Sequence, residues 1–290
     1  MPRTTAGHPN VKLGIVSIQK NRAPWLHEWV AFHHLAGFST FYVYAHNCTD
    51  HSADVLARLA GRYDVRAFSL DTREDRVQLK AYEHALQQFG HECDWFAFID
   101  GDEFLLPVAA PDVATALQPF DYARTSAIGV HWACFGSAGH VQEPAGLVTE
   151  NYTRRAPLDF AVNHHVKSLV RGRQDSHAGA NSHLFATPWG TQDELGRPLP
   201  GAVSPHAPSH TRLRVNHYVT QSLQYFKQFK QTSGAADAGA AMVRPDSWWT
   251  NHDRNDEADD SMAAWLPRLK AEMAQLDIPG TGVLPPTTSA

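Results

Sequence analysis

Asp100, Asp102 and Glu103 crowd three carboxyls into four residues, directly after the apolar run Trp95-Phe96-Ala97-Phe98-Ile99. Two carboxylates one residue apart at the end of a strand cannot both face a core, so at least one projects into the loop that follows. Hard oxygen donors suit Mg2+ or Mn2+, ions held by one or two protein carboxylates while substrate phosphates fill the rest of the shell. Asp-Gly-Asp is also ordinary turn chemistry. The apolar lead-in and the Glu103-Phe104 that follows favour the metal, with Asp100 and Asp102 as ligands.

The elements that must position this cluster alternate. Residues 11–17 are apolar and β-compatible, the loop 18–23 follows, and Pro24 opens a helix. Leu26, Trp29, Val30 and Ala36 recur there at helical spacing, and Gly37 supplies a left-handed C-terminal cap. Residues 40–45, the loop 46–50, and a helix capped by Ser52 and closed by Gly61 repeat the unit. Residues 65–70 and 77–89 repeat it again, and 95–99 make a fourth strand. The alternation predicts an α/β fold with a mostly parallel central sheet, in which ligands sit beyond the carboxyl ends of the strands. Those ends carry Gln19-Lys20-Asn21-Arg22, His46-Asn47, Asp71-Thr72-Arg73 and the acidic cluster, so the polar chemistry gathers on one rim.

Beyond Pro107 the pattern loosens into a helix at 113–117, a strand at 127–132, the loop 135–140, a long Pro- and Gly-rich loop at 187–208 and a helix over 218–230. A small-residue-rich, mobile segment follows at 234–242. Of the 290 residues, 43% are hydrophobic and 19% charged, enough apolar material for a core. A net charge of -5 excludes the broad basic field of a nucleic-acid binder. Cys48, Cys93 and Cys134 form no metal-binding spacing and fit a reduced compartment. No window nears the roughly 18 apolar residues of a membrane span, and the first ten residues lack a secretory core, which predicts a soluble, cytoplasmic protein. Most of the 18 histidines read as surface and capping residues.

The stretch Lys20-Asn21-Arg22-Ala23-Pro24-Trp25-Leu26-His27-Glu28-Trp29, with His33, Gly37 and the later Asp-Gly-Asp-Glu-Phe, resembles the DUF23-like glycosyltransferases of the GT-A fold, related to families 2 and 92. The likeness continues through Phe135-Gly136-Ser137, Lys167-Ser168-Leu169-Val170-Arg171 and His183-Leu184. It reaches Asn216-His217-Tyr218 with Ser222, Lys227 and Lys230, and then Asp253-Arg254-Asn255 to Asp259. It implies one domain over 11–262, divided into a nucleotide-sugar-binding half at 11–107 and an acceptor and metal-completing half at 108–262, with terminal extensions at 1–10 and 263–290. It also implies a Rossmann-like nucleotide-sugar-binding fold, a UDP-sugar donor, inversion at the anomeric carbon, and His217 as third metal ligand. Arg22 is a departure, since these proteins commonly have Glu there.

Further residues join this reading. Lys20, Asn21, Arg22, Asn47 and Asp100 face the donor from the rim. Asp71 and Arg73 are placed to read base and ribose, with Gln78 or Tyr82 nearby, and helix capping explains them equally well. Lys227 and Lys230 lie three apart on the predicted helix, positioned for a diphosphate, with Arg212 or Arg214 as bidentate alternatives; exposed cations are more often only solvated. Glu103, Trp132, Phe135, Gly136, Ser137, His183 and Trp248 fall to the acceptor side, where aromatic rings serve as sugar platforms. Trp248 and Trp249 are adjacent and cannot both point the same way. Asp253, Asp256 and Asp259 are candidates for the general base, with structural roles equally open.

The expected activity moves a sugar from a nucleotide sugar to a hydroxyl of a glycan or glycoconjugate, as in polysaccharide biosynthesis, and a membrane-borne acceptor would bring peripheral membrane association. A metal-dependent nucleotidyltransferase is the first rival, but the loop 18–22 lacks the glycines of a phosphate loop. A non-catalytic carbohydrate-binding protein is the second, and the intact Asp100, Asp102 and His217 argue against it.

Overall fold

Along the central strands apolar side chains point alternately to the two faces of a sheet that is covered on both. In the computed structural model, which describes residues 11–120, 124–232 and 243–276, β1 (Leu13–Gln19), β2 (Thr40–His46), β3 (Asp64–Leu70) and β4 (Trp95–Phe98) run parallel in the order β3-β2-β1-β4. Leu13, Ile15, Phe41, Val43, Trp95 and Ala97 join one buried cluster with residues of α1 (Ala23–Leu35) and α2 (Ser52–Ala60). Val16, Ile18, Tyr42, Tyr44, Phe96 and Phe98 join another with residues of α3 (Val77–Phe89). Burial on both faces explains why β1 is buried from end to end. The expected α/β layout is present.

β5 (Glu103–Pro107) does not lie beside β4. A short α4 (Val113–Leu117), capped by Asp112, leads on to β6 (Ala127–Cys134). β4 pairs antiparallel with the strand Val166–Arg171, which pairs antiparallel with residues 127–131 of β6. Residues 132–134 of β6 pair in parallel with the strand Leu213–His217, and that strand pairs antiparallel with β5. The acidic turn therefore runs from the central strands to the other end of the sheet, where Glu103 stands opposite His217 in the register.

Much of the motif on α1 is architectural. Trp29 Nε1 donates to Glu103 O at 2.9 Å, and Leu105 N donates to His33 Nε2 at 3.1 Å, fixing α1 to β5. The buried Glu28 carboxylate accepts from the amides of Val148 and Thr149, the orphan donors at the start of the turn Val148–Asn151. Ser52 does not cap α2; its hydroxyl accepts from the Arg22 amide at 3.0 Å, while Asp50 accepts from Ala23 N, so both amides entering α1 are occupied.

The C-terminal half departs further from expectation. Within 187–208, Thr191–Asp193 adds a parallel strand to β6. The helix expected over 218–230 starts only at Leu223, because Gln221 takes a left-handed φ of 51° and Ser222 caps the first helical turn, its hydroxyl accepting from Tyr225 N. After Leu223–Tyr225 the chain winds as a π-helix over Phe226–Lys230. The folded body continues past 262: Leu266–Met273 is helical and buries Leu269 in the core that includes α1. The segment 234–242 lies outside the described residues. Among the described residues no helix is long and apolar enough to cross a membrane.

Asp259 ties the C-terminal segment to the sheet. Its carboxylate takes a bidentate pair from Arg214 at 2.9 and 3.1 Å and a further bond from Arg155 at 2.7 Å. Burial alone would raise its carboxyl, but the Arg214 cation and the bonds from Arg214, Ser261 and Arg155 hold it well below the usual carboxylate range. A depressed folded-state value means stability that is fully present above the unfolded value near pH 4 and is lost progressively as pH falls from there through the lower folded-state value. Asp259→Asn is expected to cost about 3 kcal/mol at pH 7. Thermal melts of both proteins should differ most at neutral pH, and the difference should begin to shrink only below roughly pH 4.

Candidate active site

A cleft of about 690 Å3 opens beyond the carboxyl ends of the central strands and is lined by the loops that follow β1, β2, β3 and β4, by His217, and by residues of the π-helix and the helix Asp246–His252. Asparagines fasten its rim. Asn21 (φ 53°) and Asn47 (φ 46°) both adopt the left-handed conformation that asparagine tolerates. Asn21 Oδ1 accepts from Thr49 N at 2.7 Å, and Asn47 Nδ2 donates to Thr72 O at 2.7 Å, so the first loop is tied to the second and the second to the third.

The acidic turn is held from three sides. Gln78 on α3 donates to Asp100 Oδ1 at 2.9 Å, and Lys167 Nζ approaches Asp100 Oδ2 at 2.7 Å and Glu103 Oε2 at 3.6 Å. Asp100 N also donates to Glu103 Oε2 at 2.8 Å. Arg22 is 7% exposed; it donates to Gly101 O and to Tyr225 OH, each at 2.7 Å, and its guanidinium lies 4.4 Å from the centre of the Trp25 ring. The Arg22 cation thus clamps the turn, with both terminal nitrogens engaged.

Asp102 Oδ2 faces Lys230 Nζ at 2.6 Å and His217 Nε2 at 3.7 Å. Burial would raise the Asp102 carboxyl, but Lys230 and His217 outweigh it and hold the group well below its ordinary value. Burial lowers His217, keeping the imidazole neutral with a lone pair to offer. Its Nδ1 and Glu103 Oε1 are buried, lack hydrogen-bond partners and stand 4.0 Å apart. A carboxylate behind the second nitrogen of a histidine is the arrangement that orients metal-bound imidazoles. Glu103 is pushed up by burial against the pull of Lys167, with Asp100 and Asp102 adding to the rise. Lys167 would be lowered by burial, but Asp100 and Glu103 raise it and keep it charged.

These groups fit a divalent cation between Asp102 and His217. Asp100, the other carboxylate expected as a ligand, has both its oxygens engaged by Gln78 and Lys167. Among the described residues no three His, Cys, Asp or Glu side chains converge on one point.

The remaining candidates divide clearly. Lys20, Asn21, Arg22, Asn47, Arg73, Gln78, Asp100 and Lys230, expected to face the donor, all line the cleft, and so do Trp132, His183 and Trp248, expected on the acceptor side. Asp71 is outside, accepting from Ser69 Oγ. Tyr82 is buried, its hydroxyl accepting from Gln78. Lys227 turns to Asp246 while Lys230 turns to Asp102, because three residues in a π-helix do not share a face as they nearly do in an α-helix. Arg214 is committed to Asp259, and Arg212 does not line the cleft. Trp249 does not line the cleft either and packs on Phe226.

Glu103 lies beneath the cleft floor with none of its surface exposed. Phe135 is core. Gly136 and Ser137 form a joint with the 253–255 segment: Ser137 N donates to Asp253 Oδ1 at 2.6 Å, and a Cβ on Gly136 would stand 2.4 Å from Arg254 O. Asp256 pairs with Arg254 on the surface. Asp253, Asp256 and Asp259 are all outside the cleft and engaged elsewhere.

Sequence reasoning passed over Lys167 as an individual residue. Its signal was present: a lysine inside the apolar run 166–170 requires a carboxylate partner if that strand is buried. His165 and His252, which stack on Trp132 and Trp248 at 4.9 and 4.1 Å, carried no local signal. Arg22→Met would strip the buried Gly101 carbonyl and Tyr225 hydroxyl of their donor; an expected loss of about 2 kcal/mol should appear in urea unfolding.

The chain is similar to known proteins over the part that carries the cleft loops after β1, β2, β3 and β4. The sequence profile of glycosyltransferase family 92 matches residues 15–172. A family 92 protein of Oryza sativa subsp. japonica is 29% identical over 161 residues, covering 54% of this chain and 26% of the relative. One of Ricinus communis is 30% identical over 166 residues, covering 52% and 27%. The chain thus spans about a quarter of the length of these curated relatives. Among solved structures, S. aureus TarS 1-349 in complex with UDP-GlcNAc is similar at a TM-score of 0.38, with 14% identity over 55% of this chain and 45% of that one. Glucosyl-3-phosphoglycerate synthase from Mycobacterium tuberculosis, in complex with Mn2+, UDP-Glc and phosphoglyceric acid, gives 0.32 and 14% over 45% and 50%. With the profile matching more than half of its length, the chain belongs to glycosyltransferase family 92.

Proposed function

We propose that the cleft binds a nucleotide sugar, most consistently a UDP-sugar, with a divalent cation, Mn2+ or Mg2+, at Asp102 and His217, and transfers the sugar to a hydroxyl of a glycan or glycoconjugate. The observation that carries this reading is the Asp102 carboxylate facing the His217 imidazole across 3.7 Å, on the floor of a cleft flanked by cations. Membership in glycosyltransferase family 92 supports the choice of a sugar over a nucleotidyl group.

Each wall has its part. Lys20, Arg73 and Lys230 offer positive charge to a diphosphate, and Asn47 and Gln78 offer donors to ribose and base. Trp132 and Trp248, stacked on His165 and His252, form ring pairs against which a sugar's C–H face would pack. A cation at Asp102 and His217 would supply Lewis-acid stabilisation of the departing diphosphate. With that cation bound, Lys230, which now meets Asp102, would be available to the phosphate. Direct displacement by the acceptor hydroxyl inverts the anomeric carbon.

Calorimetry with UDP, GDP and CDP, each with and without Mn2+, tests the site. UDP is expected to bind in the presence of Mn2+, and Asp102→Ala or His217→Ala should weaken that binding at least about tenfold, the worth of one good charge-assisted contact. Nucleotide binding indifferent to Mn2+, or unchanged in Asp102→Ala, would refute it. Proton NMR of the first transfer product reads its anomeric configuration, and retention would rule out inversion.

A further inference from the structure

An attacking hydroxyl must lose its proton as the new glycosidic bond forms, and the group that takes it must line the cleft. Among the described residues the carboxylates that do so are Glu74, Asp100 and Asp102. Asp100 is held by Gln78 and Lys167, Asp102 faces Lys230 and His217, and Glu74 pairs with Lys80 on α3. Each of the three is engaged by a cation. The cleft wall also carries imidazoles.

His165, His183 and His252 each turn Nδ1 to a backbone carbonyl, those of Val162, Val166 and Trp248, at 3.0, 2.8 and 2.7 Å. A carbonyl only accepts, so each Nδ1 carries the hydrogen and each Nε2 keeps a lone pair. His165 lies nearly flat on Trp132 and His252 on Trp248, with interplanar angles of 17° and 14°, so these two rings act as stacking surfaces. His183 meets Trp132 at 65° and is fixed along its main chain as well. Its amide donates to Asn181 Oδ1 at 2.9 Å, and its carbonyl accepts from Ser168 Oγ at 2.6 Å. Ser168 neighbours Lys167, so one strand holds both this imidazole and the cation that anchors Asp100.

We propose that His183 Nε2 is the general base that takes the proton of the acceptor hydroxyl; the assignment rests on the transferase reading above. As the hydroxyl oxygen bonds to the anomeric carbon, the bond from that carbon to the diphosphate breaks and its electron pair leaves with the diphosphate. The O–H proton passes to Nε2, and the resulting imidazolium keeps its Nδ1–H bond to Val166 O before losing a proton to solvent. Burial and then the Lys167 cation push this imidazole down, so it is neutral and able to accept at physiological pH.

The test uses His183→Asn, whose amide can still donate towards Val166 O but which lacks the basic nitrogen, with His183→Gln as a second variant should the first fail to fold. UDP·Mn2+ binding is measured by calorimetry, and transfer from UDP-glucose and UDP-galactose to a panel of methyl glycosides by UDP release. The expected result is transfer slowed by about 100-fold or more with UDP·Mn2+ affinity within about twofold of wild type, and partial rescue of His183→Ala by added imidazole. Transfer by the variants at the wild-type rate would overturn the role of His183 alone. Affinity and rate lost together, without rescue, would make it a structural residue and overturn it too. A wild-type chain that binds no UDP with Mn2+ would bring down the transferase reading and this assignment with it.

Discussion

The antiparallel pairing of β5 with the strand Leu213–His217 is the constraint on which the candidate site depends. It sets Glu103 opposite His217 across more than a hundred residues of chain, and it fixes where the acidic turn must end. One slip in that register would set Glu103 and His217 on opposite faces of the sheet. The pairing is reinforced from outside, since Trp29 and His33 of α1 bond to the backbone of β5. A helix near the start of the chain thereby holds a strand that carries half of a site completed near residue 217.

Around that frame the site is a balance of buried charge. Three carboxylates within four residues would be untenable in a dry floor without Lys167, Lys230 and Arg22 beside them. Each cation takes a separate part: Lys167 secures Asp100 and Glu103, Arg22 grips the intervening backbone, and Lys230 meets Asp102 where it faces the cleft. Lys167 is sealed in, while Arg22, though largely buried, and Lys230 border the space a ligand would enter.

The half up to Pro107 was largely readable from sequence, because both-sided burial leaves long apolar runs and the loops after them are short. The bounds of α3 and α4 are those expected. Legibility failed where long-range partners decide. Ser52 looks like a helix cap and instead receives the Arg22 amide; Asp259 looks like a free carboxylate and is gripped by two arginines. The run from Tyr218 to Lys230 has helical composition, but a left-handed Gln221 delays the helix and a π-helical turn redirects its lysines. Lys167 was visible only as a contradiction, a charge inside an apolar strand, and contradictions of that kind mark functional ground.

The π-helical segment Phe226–Lys230 gives chain length a meaning of its own. Each residue of an α-helix advances the next by about 100°, so deleting one residue there and letting the turn relax to α geometry would carry Lys230 around the axis and away from Asp102. Substitutions in this stretch trade one contact for another, whereas an insertion or deletion resets the aim of everything downstream. Homologues with a different count between Ser222 and Lys230 would have to present their cation to the acidic turn from another position, and the spacing itself, more than the lysine, would be what their alignments preserve.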